Sequence, residues 1–506
     1  MTRILQIARQ HVWAVVGAVV SGVLVIVSNL SGVGWSYDSV DYVAIGQSFA
    51  KGRGFLDLIG KPSTVHPPGY SLLIAAGDFL GLSINFTLLA INFVSAIVIS
   101  TCSYILLDYS IRNRVVVHVA FAFIVFSPGL LWQYSMAWTE PAFVAVELLA
   151  VVVALIIAKS WKYFALALLC TFLFYLRYVG PVFSLVILAV SMAVDARSRG
   201  MKKAFIYNLL AFCTSMAASY IWLLRNKRID GTYASSMQPA GGSIFSALRT
   251  MLGTLGSWVT AKPFDLVEYK NWTEYPTDAR IGAMFVVVLF LSAGFVAVRR
   301  ICFRGHFVDD STMHTLLMTL ALVVGYSFFS AYRYVHFHRA SFDNRVMIPI
   351  FVPIVILIAI TISFALPRSR RLGSFIFAIL LITLGVHARS TVSDSLRFGR
   401  EGRHNSVRWY QELPLHKFVK TLRRDSAFFS NEMQQLYTVL HVWPINNPWQ
   451  LDEPRLVPCV HRYAVWYKVS LVTDNEPLSA PLIYEDEIGK VYNLGLCGED
   501  INLVWE

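Results

Sequence analysis

The chain has 506 residues, 56% of them hydrophobic and only 15% charged, with a mean hydropathy of +0.56 and a formal net charge of +12. A soluble chain carries about a quarter charged residues, so a water-soluble enzyme is excluded, and the basic balance is not the footprint of a nucleic-acid partner. Its apolar residues fall in runs of about 20, the length that crosses a hydrocarbon core of about 30 Å, and these mark a multi-pass membrane protein.

Eleven spans are predicted, over 12–30, 84–107, 115–132, 140–158, 161–179, 181–195, 203–225, 281–298, 314–331, 345–366 and 372–389. Each must be helical, because backbone groups in lipid find hydrogen-bond partners only within the segment or in a closed barrel. The first span lacks a small-residue cleavage pattern and is followed by others, so it is expected to be retained. Arg3 and Arg9, Arg112 and Arg114, Lys159 and Lys162, Arg197 to Lys203, Arg299 to Arg304 and Arg368 to Arg371 all fall on one side of this arrangement. Short loops rich in Lys and Arg stay in the cytoplasm, so the N-terminus is expected inside and the C-terminus outside.

The opposite, extracytoplasmic side of a plasma membrane then receives the unusual segments. The first is the loop 31–83. "DYVAIGQSFA" (41–50) spaces Tyr42, Ile45 and Phe49 as an interfacial helix does, and "GRG" (52–54) ends it. In "HPPGYSLLIAA" (66–76), Pro67 and Pro68 set up a second short helix at its start. Two such helices near the headgroups leave a cleft that accepts a lipid headgroup from the side. Asp38 and Asp41 stand at its entrance; an aspartate at a helix start also serves as a cap.

Further along, Glu140 in "WTEPAF" opens the fourth span, where a capping or dipole role is the plain alternative. Glu147 lies seven residues on, inside the span, and fits a helix–helix hydrogen bond. Arg177 closes the fifth span in "LRYVG", at a level where it either binds or snorkels. A long loop, 226–280, follows. The turn "YRYVHFHRASFDNR" (332–345) then crowds Arg333, His336, His338, Arg339 and Arg345 on the outer face, against the topological bias. It suits either interfacial anchoring or an anion site, since guanidinium groups take phosphate oxygens through charge-assisted, often bidentate bonds.

The membrane portion, 1–389, holds 31 basic against 16 acidic residues, and the segment 390–506 holds 12 against 15. That second part alternates apolar runs with turns and is expected to form a small external α/β domain. Cys459 and Cys497 both lie in it, where an oxidising compartment would allow a bridge. Trp443, Trp449 and Trp466 offer faces for sugar stacking, although burial is the commoner fate of tryptophan.

These motifs resemble a known superfamily. Asp38 with Tyr42 four residues on, the "GRGF" break and "HPPGYSLLIA" resemble the first external loop of GT-C glycosyltransferases, among them the lipid A aminoarabinose transferases and protein O-mannosyltransferases. "WTEPAF", "LRYVG" and "DNRVMIPIFVP" (343–353) resemble their second acidic motif, arginine-ended span and late Arg-x-x-x-Pro span. The resemblance implies sugar transfer from a polyprenyl-phosphate donor to an envelope glycan, glycolipid or protein, with Asp38 as catalytic base. Asp41, Tyr42, His66, Glu140, Arg177, Arg333, His336, Arg339 and Arg345 are then the expected substrate-binding residues.

Two departures stand out. Ser39 occupies the place of a second acid, which tells against a divalent metal, although Asp38, Asp41 and Glu140 supply oxygen ligands of the kind Mg²⁺ or Mn²⁺ takes. His66 occupies the place of a lysine before the two prolines and brings pH sensitivity to a phosphate contact there. No cofactor is expected. A single base and a single displacement imply inversion at the anomeric carbon. The rival readings are a flippase or transporter of lipid-linked sugars and a polysaccharide polymerase.

Overall fold

The computed structural model describes residues 12–233, 243–259, 261, 277, 280–284, 287–288, 310–336, 342–365, 370–404, 407–422, 426–440, 445–446, 461–468 and 480–496. The protein is mostly helical, a multi-pass membrane protein with a small sheet near its C-terminus. The predicted span 281–298 lies largely outside the described residues; Arg339, Trp443, Trp449, Cys459 and Cys497 lie wholly outside them. The chain groups into two units, Met1–Ser28 with Ala90–Tyr134 and Trp138–Leu396, and Asn29–Leu89 with Ser135–Ala137 and Arg397–Glu506.

The first unit is a helical bundle. Among the described residues, Ile84–Ser110, Gly180–Arg199, Met201–Asp230, Asp310–His336 and Asn344–Phe364 are long and apolar enough to cross a membrane. Val12–Ser28, Glu140–Ile156 and Lys162–Leu176 are shorter helices at other predicted spans. Asn344–Phe364 is the central element, 78% buried over its most apolar stretch, against 28% for the peripheral Met201–Asp230.

Proline accounts for two differences from continuous spans. The segment predicted over 115–132 is broken into Arg114–Val125 and Pro128–Tyr134, bent by 41°, because Pro128 lacks an N–H and its ring clashes with the preceding turn. The break frees the Phe126 carbonyl, which accepts from Thr391 Oγ1 at 2.8 Å, and Ser127 Oγ accepts from the Leu130 N–H at 3.2 Å. Pro349 likewise falls in a 3-10 turn, Ile348–Ile350, before the helix resumes at Phe351.

Lys162, counted above with the orienting charges, is itself buried. Its Nζ donates to Asp195 Oδ1 at 2.7 Å and to the Ala154 carbonyl at 3.3 Å, while the Tyr163 hydroxyl donates to Asp195 Oδ2 at 2.9 Å. Breaking one side of a buried pair strands the other charge, at a cost of about 3–5 kcal/mol. Lys162→Met is therefore expected to lower the unfolding temperature in detergent sharply. Lys162→Met/Asp195→Leu should recover most of the loss, and a double variant no better than the single one would contradict this account.

The second unit joins the first loop to the C-terminal sheet. Helices Tyr37–Ala50 and Gly69–Phe79 form where the sequence places them. They pack closely at Gly46, where a Cβ would meet the Ser71 carbonyl and Ile74 at 2.8 Å. Between them Gly52 and Gly54 take φ of 73° and 84°, left-handed conformations that glycine adopts without steric cost. Sheet order is β2-β1-β3-β5-β4, from Ala427–Ser430 (β1), Ile445–Asn446 (β2), His461–Tyr467 (β3), Leu482–Glu485 (β4) and Gly489–Leu496 (β5). β1 is parallel to β2 and β3; β5 is antiparallel to β3 and β4. Trp466 packs with Phe429, Ala464, Tyr492 and Leu494 in the sheet's core, so it is a core residue and not a sugar platform.

Candidate active site

In the helical bundle, Glu140 and two of the predicted cations, Arg177 and Arg345, come together. Glu140 begins the Glu140–Ile156 helix behind Pro141's turn, and its side chain is fully buried. Its Oε1 accepts from Arg345 Nε at 2.8 Å and also from Arg177 Nη1, and Thr139 Oγ1 donates to Oε2 at 3.3 Å. The Arg345 guanidinium lies 4.9 Å from the centre of the Trp138 ring, a cation–π contact. Two guanidinium groups thus share one carboxylate oxygen. Both arginines keep a small exposed fraction, 18% and 16% of their side chains.

Local folding explains how each arginine arrives there. Arg177 follows the last residue of the Lys162–Leu176 helix in extended conformation, φ −150° and ψ 140°. A tight turn then returns the chain, with Gly180 N–H donating to the Arg177 carbonyl at 2.8 Å. Gly180 has no substitute, since a Cβ there would lie 2.3 Å from the Phe174 nitrogen. Arg345 sits in the short helix Asn344–Met347, capped by Asp343 Oδ1 accepting from the Val346 N–H at 2.8 Å. Asn344 pins that turn: its Oδ1 accepts from Trp258 Nε1 at 2.7 Å and its Nδ2 donates to the Gly129 carbonyl at 3.2 Å. The Tyr326 hydroxyl donates to the Val346 carbonyl, and Thr254 Oγ1 to that of Phe342.

Arg333 and His336 lie elsewhere than the predicted turn. The helix begun at Asp310 runs to His336, so Arg333 is half-buried in its last turns and His336 is exposed with its ring 4.5 Å from Tyr332. Glu147 is fully buried, and neither of its carboxylate oxygens has a hydrogen-bond partner; no helix–helix bond forms there. Trp138, Trp258, Asn344 and Tyr326 were missed from sequence. Only Trp138 carried a signal, through its place beside Thr139 and Glu140.

The second unit holds the loop residues. Asp38 is half-buried in the first turn of helix Tyr37–Ala50, but the N-cap is Ser36, whose N–H donates to Ser39 Oγ at 3.0 Å. Ser39, standing where an acid was expected, thus belongs to a capping box, and Asp38 is not the cap residue. Asp41 and His66 approach to 3.7 Å between Oδ2 and Nε2. Tyr42 packs edge-on against His66 and Tyr70, with centroids 4.6 and 5.3 Å apart. Among the described residues no group of three or more His, Cys, Asp or Glu comes together as a metal site.

Asp57, beside this group, accepts from the N–H groups of Ile59 at 3.1 Å and Lys61 at 2.8 Å. Burial pushes its carboxyl up to about 6, and the Asp41 charge adds to the rise, against the lowering effect of the two hydrogen bonds. The ordinary value is 3.8. Stability linked to this group is therefore fully present below that value and lost as pH rises through about 6. Asp57→Asn keeps an acceptor and removes the charge. It is expected to raise stability at pH 7.5 by about 2–3 kcal/mol and to flatten thermal unfolding between pH 4 and 6.5. An unchanged slope over that interval would count against it.

Comparison with solved structures now identifies the fold. It is similar to the crystal structure of ArnT from Cupriavidus metallidurans bound to undecaprenyl phosphate, with a TM-score of 0.59 and 14% identity over 95% of this chain and 98% of that one. The apo state of the same protein matches with the same score and identity, over 97% of its length. Archaeal oligosaccharyltransferase AglB from Archaeoglobus fulgidus, in complex with an inhibitory peptide and a dolichol-phosphate, aligns at a TM-score of 0.41 and 11% identity, too low to carry an argument. No protein-family model matches the sequence, and comparison with curated sequences finds no match. At 14% identity the likeness speaks for the fold.

Proposed function

We propose that the protein is a membrane glycosyltransferase that moves a sugar from a polyprenyl-phosphate donor to a cell-envelope glycan, lipid or protein acceptor on the extracytoplasmic face. The observation that carries this reading is the buried Glu140 carboxylate holding the Arg177 and Arg345 guanidinium groups together. Guanidinium groups take phosphate oxygens through charge-assisted, often bidentate bonds, and a lipid phosphate is such an anion. The fold's similarity to a protein crystallised with undecaprenyl phosphate supports the same donor class.

In the proposed reaction the acceptor hydroxyl gives its proton to Asp38 as its oxygen bonds to the anomeric carbon. The bond from that carbon to the phosphate oxygen breaks, and the electron pair leaves with polyprenyl phosphate. General-base help of this kind contributes about 10²–10⁴-fold. Arg177 and Arg345, with Arg333, meet the charge that grows on the departing phosphate. His66 and Tyr42 act on the donor or acceptor beside Asp41, and the single displacement inverts the anomeric carbon.

The test is purified protein with a labelled polyprenyl-phosphate sugar. Release of free polyprenyl phosphate that depends on Asp38 supports transfer, and a product keeping donor stereochemistry would overturn the inversion. Movement of intact donor between leaflets without cleavage would replace the reading with a flippase.

A further inference from the structure

The C-terminal segment grips the first external loop at two places. Residues 33–35, just ahead of the Asp38 helix, form a short three-part parallel ladder with 135–137 and 403–404. Gly34 bridges Met136, and Trp35 bridges His404; Gly34 N–H donates to the Ser135 carbonyl and Ala137 N–H to that of Gly34, both at 2.9 Å. Arg403, buried, donates from Nη1 to Ser135 Oγ at 2.9 Å, and Ser31 Oγ donates to the Gly399 carbonyl at 2.7 Å. His404 holds φ of 45°, a conformation that non-glycine residues keep only where the surroundings over-determine it.

A second grip lies on the helix itself. The buried Tyr437 hydroxyl, on helix Met433–Leu440, donates to Gln47 Oε1 at 2.6 Å, and its ring lies 6.2 Å from Trp35. On the same helix, the Gln435 side chain accepts from the Tyr410 hydroxyl at 2.9 Å. At about 100° per residue, the nine positions from Asp38 to Gln47 place them on opposite sides of the helix. The C-terminal segment therefore holds the helix from behind at its far end and, through the 33–35 ladder, just ahead of its start, leaving the Asp38 side to the reaction.

We propose that Tyr437 is a positioning residue for transfer: through Gln47 it fixes the rotation of the Tyr37–Ala50 helix, and with it the placing of the Asp38 carboxylate. The proposal rests on Asp38 being the base, as argued above. Displacement of a reacting group by about 1 Å costs as much as 10²-fold in rate, so loss of one anchor of two is expected to cost about tenfold. Removing both partners of a hydrogen bond is milder than orphaning one.

The experiment compares Tyr437→Phe, Gln47→Leu and the double variant in nanodiscs by hydrogen exchange and by turnover. Tyr437→Phe is expected to speed exchange of the 37–50 amides selectively, leaving β1 and β3 unchanged. It should lower kcat about tenfold with donor KM within about twofold, and the double variant should recover part of kcat. Unchanged exchange at 37–50, a uniform rise across the C-terminal segment, or a loss confined to KM would overturn the proposal. Exchange is read without turnover. A wild-type protein lacking Asp38-dependent transfer therefore sinks the function reading, while the exchange result still decides whether Tyr437 holds the helix.

Discussion

Asp38→Asn is expected to lower kcat for sugar transfer by at least 10²-fold while donor affinity changes little. The asparagine side chain is nearly the same shape, so the helix start survives; its cap is built from Ser36 and Ser39 and needs nothing from position 38. What is lost is the acceptor for the hydroxyl proton, a contribution made only as the transition state is reached, so it appears in kcat rather than in binding. Transfer rates and donor titrations on the same preparation check this. A variant retaining more than a tenth of the wild-type rate would remove Asp38 from the chemistry.

Arg345→Ala and Glu140→Gln carry the second large expectation, and the latter has an informative sign. Charge-assisted hydrogen bonds are worth about 1.5–3 kcal/mol each, so Arg345→Ala is expected to weaken polyprenyl-phosphate binding about 10–100-fold. Glu140→Gln removes a negative charge beside the proposed phosphate. If Glu140 only offset charge, its removal would strengthen binding. It accepts from both arginines through one oxygen, so its main effect is to aim them, and binding is expected to weaken. Stability should fall as well, because two buried like charges lose their common counter-ion, a loss of about 3–5 kcal/mol. Titration with polyprenyl phosphate and thermal unfolding of each variant decide the matter; tighter binding by Glu140→Gln would refute the clamp. Arg345→Lys is not a neutral control, since an ammonium keeps the charge but loses both the fork geometry and the stacking on Trp138.

The predicted helices and their faces were legible where one local rule governs. Glycine and proline punctuate the first loop, and its two short helices appear where that punctuation puts them. Pro128 and Pro349 were equally visible, yet the bend at the first and the 3-10 turn at the second were not foreseen. Whether a proline bends or merely caps depends on what re-satisfies the freed carbonyl, and at Phe126 that partner is Thr391, 265 residues away. The basic stretch 332–345 showed its charge but not its distribution. Arg333 ends a helix, whereas Arg345 opens a new one that Asn344 and Trp258 hold in place.

Composition and run length alone established a helical membrane protein, since lipid leaves the backbone little choice of structure, and the short motifs pointed to a GT-C fold. Tertiary structure alone decided that Glu140, Arg177 and Arg345 meet, that Asp41 faces His66, and that Tyr437 holds Gln47. Side-chain pairs separated by 25 to 390 residues are products of packing, and no local pattern encodes which distant partner a buried charge will find.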